Sequence, residues 1–110
     1  MSKSSRRLLA AAGLSLCAAF LYFPFLSASL DDFDSYNFAR ALFEFAPARF
    51  QPHPPGYVWY VWLGRLTLAI TGDPHIALTT LSALCGALVC GMLFLSTTAL
   101  LSSRVALTTV

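Results

Sequence analysis

Charge is what this sequence has least of. Asp, Glu, Lys and Arg make up 11% of its 110 residues, against about 25% in soluble domains, while 57% are apolar and the mean hydropathy is +0.69. That balance excludes an ordinary water-soluble globule. Basic patches are missing as well. Lys3, Arg6, Arg7, Arg40, Arg49, Arg65 and Arg104 are scattered through a chain of net charge +2, so nothing can track a phosphate backbone and nucleic acid is excluded as a partner. Cysteine is sparse and odd in number. Cys17, Cys85 and Cys90 lie in apolar stretches without C-x-x-C spacing, which argues against a disulfide framework or a thiolate metal site and for small apolar packing residues.

What is abundant is uninterrupted hydrocarbon. Leu8 to Leu30 contains no charge and exceeds the ~20 residues a helix needs to cross a bilayer core. Ser27-Ala28-Ser29 resembles a signal-peptide cleavage site, but the run is longer than the ~7–15 residues of such a segment, and a retained helix is expected. A second span is expected over 74–103, with Asp73-Pro74 suited to starting it. Ala83, Ala87 and Gly91 recur along it every four residues, the spacing that lets another helix approach closely in lipid. The positive-inside rule then puts the basic tail of residues 1–7 and Arg104 in the cytoplasm. Residues 104–110 form a cytoplasmic end or the start of a further segment. The expected location is the inner (plasma) membrane, multi-pass, with the N-terminus cytoplasmic.

The expected fold class is therefore all-α integral membrane: two transmembrane helices joined by an outer loop, residues 31–73, with two short interfacial helices. Five acids and three arginines give that loop a net charge of −2. The first short helix is expected at about 35–46, where Phe38, Leu42 and Phe45 keep helical spacing and Pro47 stops it, with Asp34 or Ser35 as its N-cap. The second is expected at 57–71. Fifteen residues span about 22 Å, short of a ~30 Å core, and they gather Trp59, Trp62, Leu63, Leu66 and Ile70 opposite Tyr57, Tyr60, Gly64, Thr67 and Thr71. That pattern fits a helix lying in the membrane interface.

Chemistry-bearing residues concentrate in this loop. Asp31, Asp32 and Asp34 come directly after the first span. Gln51-Pro52-His53-Pro54-Pro55-Gly56-Tyr57 sets His53 in a proline-stiffened turn. His75, at the start of the second span, is a weaker candidate. Three acids could in principle hold a divalent cation, although a cap plus solvated charge explains them as well, and neither a metal site nor a cofactor is expected.

The order Asp34-Ser35-x-x-Phe38-Ala39, a spacer, then His53-Pro54-Pro55-Gly56-Tyr57 and an aromatic helix resembles the first outer loop of GT-C membrane glycosyltransferases. The nearest subgroup is the bacterial relatives of the protein mannosyltransferases and of the lipid A aminoarabinose transferases. The resemblance covers roughly 8–101 and implies the beginning of a multi-helix bundle that moves a sugar from a polyprenyl-phosphate donor to an acceptor hydroxyl on the outer face. In that family an Asp-Glu-x-x-aromatic motif opens a juxtamembrane helix and its leading acid is catalytic. Asp34 matches this acid. Ser35 stands where the family has Glu, and Asp31 and Asp32 are the candidates for the second carboxylate. Arg40, Arg49 and His53 are the candidates for binding the donor's phosphate.

The resemblance further implies partners: the lipid bilayer, a polyprenyl-phosphate-linked sugar and the remaining helices of a larger bundle. The stretch by itself is then an inactive N-terminal fragment. Two other classes remain open. A small two-helix membrane interaction protein would use its Ala83-Ala87-Gly91 face. A transporter fragment would carry polar residues within its spans, and these spans lack charge.

Overall fold

The computed structural model describes residues 2–108, and side chains through residue 101. The Arg104 side chain expected to mark the cytoplasmic end, and the residues 109–110 that close the last apolar run, lie outside the described residues. The described chain is all-α: α1 (Lys3–Tyr22), α2 (Phe33–Ala41), α3 (Val58–Thr71) and α4 (Pro74–Thr108), with short 3-10 turns at Phe23–Phe25 and Pro47–Arg49.

Two of these helices are long and apolar enough to cross a membrane, Lys3–Phe25 and Pro74–Leu101. Their most apolar stretches are only 11% and 28% buried. Core helices of a soluble protein cover such surface with other protein, whereas lipid covers it in a membrane. Phe20, Phe25, Trp59 and Ile70 are all more than four-fifths exposed, consistent with lipid contact.

The first helix begins and ends earlier than the expected 8–30. Ser2 caps it, its hydroxyl accepting from the Ser5 N–H at 3.1 Å, so Lys3, Arg6 and Arg7 form the opening turns of the helix instead of a tail before it. Pro24 has no N–H to continue the ladder, and the chain tightens into the 3-10 turn there.

The chain divides into two compact units, Met1–Pro24 with Ala83–Val110, and Phe25–Ser82. In the first, α1 and the later part of α4 run antiparallel: Gly86 faces the Tyr22 ring, and Gly91, further along α4, faces Ser15 and Ala11. A Cβ on Gly91 would stand 2.8 Å from the Ala11 carbonyl oxygen. Ala11, Ala83 and Ala87 are buried with it. The small-residue stripe thus packs, at Gly91, on a helix of its own chain.

In the second unit, Ala39, Ala41, Leu42, Val61, Ala77 and Leu78 form the core, with Leu30, Phe38, Tyr60 and Leu68 packed against it. Gly64 lets α3 come close, since a Cβ there would lie 2.7 Å from Leu42 Cδ2 and 3.2 Å from Leu78 Cδ2. On α3, Val61 and Gly64 face this core, while Trp59, Trp62, Leu63, Leu66 and Ile70 remain exposed. The helix stops at Gly72, whose φ of 72° suits a residue without Cβ. Asp73 Oδ1 then accepts from the Ile76 N–H at 2.9 Å, with Pro74 at the first helical position, to start α4.

Candidate active-site loop

The three carboxylates after the first apolar helix have three different occupations. Asp31 accepts from the Ser29 hydroxyl and, at 3.4 Å, from the Ser27 hydroxyl. Asp32 is the N-cap of α2, its Oδ1 accepting from the Ser35 N–H at 2.7 Å and Oδ2 from the Ser35 hydroxyl at 2.9 Å. These bonds, the backbone one foremost, hold its carboxyl below the ordinary carboxylate range. The expected cap is Asp34 or Ser35, and the expected helix 35–46. Asp32 instead starts the helix earlier, at Phe33, and leaves Asp34 in its first turn with no capping duty.

The other end of α2 is closed from α3. Arg65 Nε donates to the Leu42 carbonyl at 2.9 Å and Nη2 to the Ala41 carbonyl at 3.2 Å. A guanidinium at a helix C-terminus satisfies orphan carbonyls and meets the negative end of the helix dipole. The chain therefore turns away after Ala41, five residues before the expected end.

Beyond α2 the chain closes into a tight loop. Ala46 N–H donates to the Gln51 carbonyl at 2.8 Å and Gln51 N–H to the Ala46 carbonyl at 3.1 Å, enclosing the Pro47–Arg49 turn and the left-handed Phe50 (φ 58°). Gln51 is buried, and with its carboxamide oxygen turned toward α2 it accepts from Arg40 Nε at 3.3 Å and Nη2 at 2.9 Å. That orientation is the one the surrounding donors demand. Two residues on, between the cis bonds Gln51–Pro52 and Pro54–Pro55, His53 comes alongside Asp34. Its Nδ1 lies 3.4 Å from Asp34 Oδ1. The 51–53 segment thus runs antiparallel to α2, meeting Arg40 first and Asp34 second.

Aromatic rings hold His53 there. Phe38 and Tyr57 flank it edge-on, with centroids 5.8 and 5.2 Å away, and Phe38 also meets Tyr57 and Tyr60, each at 5.3 Å. Tyr57 has a φ of 44°, a conformation unfavourable for a bulky residue that persists only where surroundings impose it. Gly56 before it, at φ 95°, sits where a Cβ would come within 3.1 Å of Pro47 Cγ. The Tyr60 hydroxyl is anchored on Ser82 Oγ at 2.8 Å.

The structure thus brings Asp34 and His53 together and leaves the other candidates apart from them. Arg40 projects toward Tyr36, its guanidinium carbon 5.9 Å from the ring centroid, and borders a shallow cleft of about 300 Å³ with Leu30, Phe43, Asp73 and His75. Arg49 pairs with Glu44 at 3.1 Å in full view of solvent. His75 ties the start of α4 to the Ser27 carbonyl through Nε2 at 2.8 Å. Among the described residues no three His, Cys, Asp or Glu side chains converge to hold a metal ion, so Asp31, Asp32 and Asp34 do not form a cation cradle. Nothing in the sequence singles out Gln51 or Arg65. Only their neighbours in space reveal what they do.

Residues 44–109 match the family model described as the protein O-mannosyl-transferase TMEM260 N-terminal domain. The match covers more than half of the chain, which belongs to that family. It takes in His53, α3 and α4 and begins after Asp34 and Arg40. Comparison with curated proteins finds no match, and comparison with solved structures finds none either.

Proposed function

We propose that this chain is the N-terminal membrane part of a GT-C glycosyltransferase that moves mannose from a polyprenyl-phosphate donor to a protein hydroxyl at the outer face of the plasma membrane. The family match over residues 44–109 carries this reading. The donor is tethered to the bilayer by its prenyl chain, so its sugar must be met at the membrane surface, and a loop between two long apolar helices is suited to that depth. The basic residues Lys3, Arg6 and Arg7 favour a cytoplasmic N-terminus and hence an outer position for the loop.

In this mechanism Asp34 is the base. The acceptor hydroxyl gives its proton to the Asp34 carboxylate as its oxygen bonds to the anomeric carbon, and the bond from that carbon to the phosphate breaks with its electron pair leaving on phosphate. In this reading Arg40 is the cation that receives that charge. Gln51 engages Nε and Nη2 and fixes the guanidinium plane, while Nη1 has no protein partner among the described residues. Asp34 and Arg40 are six positions apart on α2, about 9 Å along the helix axis and about 120° around it. Arg49 is a second, more exposed cation whose pairing with Glu44 a phosphate can displace. Further helices of the bundle complete the donor and acceptor cradles. Docking on a partner through the Ala83-Ala87-Gly91 face is less well supported, because Gly91 already packs on α1.

The test uses membranes carrying the whole protein as the cell makes it, with radiolabelled polyprenyl-phosphate mannose and a Ser/Thr peptide. Asp34→Asn is expected to lower transfer by about 10²–10⁴-fold. A wild-type rate in that variant would remove Asp34 as the base, and no transfer by the wild-type protein would remove the enzyme reading.

A further inference from the structure

We infer that His53 is the positioning residue of Asp34: its Nδ1–H holds one carboxylate oxygen, Oδ1, so that Oδ2 faces the acceptor hydroxyl. This rests on Asp34 being the base. It gives His53 a role other than binding the donor's phosphate.

Four observations carry it. Asp34 and His53 stand nineteen positions apart in the sequence, yet Nδ1 and Oδ1 are 3.4 Å apart. The Nδ1 atom is buried and has no hydrogen-bond partner, which buried polar atoms avoid. A small rotation of the exposed Asp34 side chain would supply one. The imidazole packs against Phe38 and Tyr57 in T-shaped contacts, which favour the orientation that keeps Nδ1 beside Asp34. Finally, Asp32 does the capping, and Asp34, 62% exposed, keeps its second oxygen open to an incoming acceptor. A neighbouring carboxylate selects the tautomer with hydrogen on Nδ1. His53 keeps that proton throughout. The acceptor's proton goes to Oδ2, the new C–O bond forms, and the phosphate leaves with the electron pair. Fixing one oxygen restricts the carboxylate to the orientation in which the other can accept that proton.

The test replaces His53 by Asn, Gln and Leu in the full protein, in the same mannose-transfer assay. The Asn amide nitrogen stands where Nδ1 does, whereas that of Gln reaches toward the Nε2 position. His53→Asn is expected to keep kcat within about threefold. His53→Gln and His53→Leu are expected to lose about 10–100-fold in kcat, as when the orienting partner of a functional group is removed, with the donor KM nearly unchanged. In an Asp34→Asn background, His53→Leu is expected to cost nothing more. Equal losses in all three single variants, or a raised donor KM with kcat preserved, would overturn the positioning role. An inactive Asp34→Asn beside a fully active His53→Leu would end this inference and leave Asp34 as base. A fully active Asp34→Asn would end the reading on which the inference rests.

Discussion

The two compact units bring helices together with different materials. In the unit built from α1 and the later part of α4, contact depends on removing side chains: Gly91 meets Ala11 backbone, and Ala83 and Ala87 are buried alongside. Lipid tails are as apolar as the helices, so the hydrophobic effect supplies little attraction, and close approach gains van der Waals contact instead. In the unit of residues 25–82, an apolar core and the close approach at Gly64 are supplemented by polar groups that close helix ends. Asp32 caps the start of α2, Arg65 its finish, and Asp73 the start of α4. Short helices bounded by loops have many orphan backbone groups per residue, and side chains must answer them. The chemistry-bearing residues sit in the second unit, where polar side chains are already held at helix ends.

The largest effect on stability is expected where backbone faces backbone. Gly91→Leu inserts a side chain where even a Cβ lies 2.8 Å from the Ala11 carbonyl, and overpacking of this kind costs about 1–3 kcal/mol or more. Thermal unfolding of the protein in detergent measures it. Gly64→Ala, in the other unit, meets only the Cδ2 ends of Leu42 and Leu78, which can turn aside, and is expected to cost less. The reverse order would break the contrast between the units.

The two spans are legible in the sequence because hydrocarbon length and absence of charge are read directly from residues. So is the Asp73-Pro74 start, a local signal. The Ala83, Ala87 and Gly91 stripe announces a close helix contact, but periodicity does not name the partner, and at Gly91 that partner is α1 of the same chain. The expected start and end of α2 both fall too late. Asp32, Asp34 and Ser35 are all good caps by type, so the choice depends on where the preceding chain enters. The C-terminal end is set by Arg65, 23 residues downstream of Leu42, a relation with no local signature. The approach of Asp34 to His53 has the same character: each residue is a candidate alone, and the Ala46–Gln51 loop makes them neighbours.

Next in size comes Arg65→Met, which keeps the side chain's length and removes both hydrogen bonds to the end of α2. Hydrogen bonds to charged groups contribute about 1.5–3 kcal/mol, and partial exposure here places the expected loss toward the lower end. Arg65→Lys should recover only part, since an ammonium cannot fork across two carbonyls. Hydrogen exchange resolves the change in the amides that end α2. Equal exchange in all three proteins would show that Arg65 does not close this helix.

Asp32 offers a smaller effect with a definite pH sign. Its carboxyl is held below the ordinary range in the folded protein, so the cap contributes fully above the unfolded carboxylate's pKa and is lost as pH falls through the depressed one. Protection of the Ser35 amide should therefore hold at neutral pH and weaken on the acid side. In Asp32→Ala that protection should be low at every pH. Acid-insensitive protection in the wild type would mean that another group caps α2.

The smallest stability effect is expected at Arg49, and that makes it useful. Its pairing with Glu44 is exposed on both sides, 72% and 62%, and such pairs contribute less than about 1 kcal/mol. Arg49→Ala should melt with the wild type, so any fall in mannose transfer reports on the donor and not on the fold. Arg40 differs because Gln51 grips it, and Arg40→Ala also leaves a buried carboxamide oxygen without its donors. Arg49→Ala with an unchanged donor KM, beside a raised KM in Arg40→Lys, would assign the phosphate to the braced arginine. The opposite pattern would assign it to the exposed one.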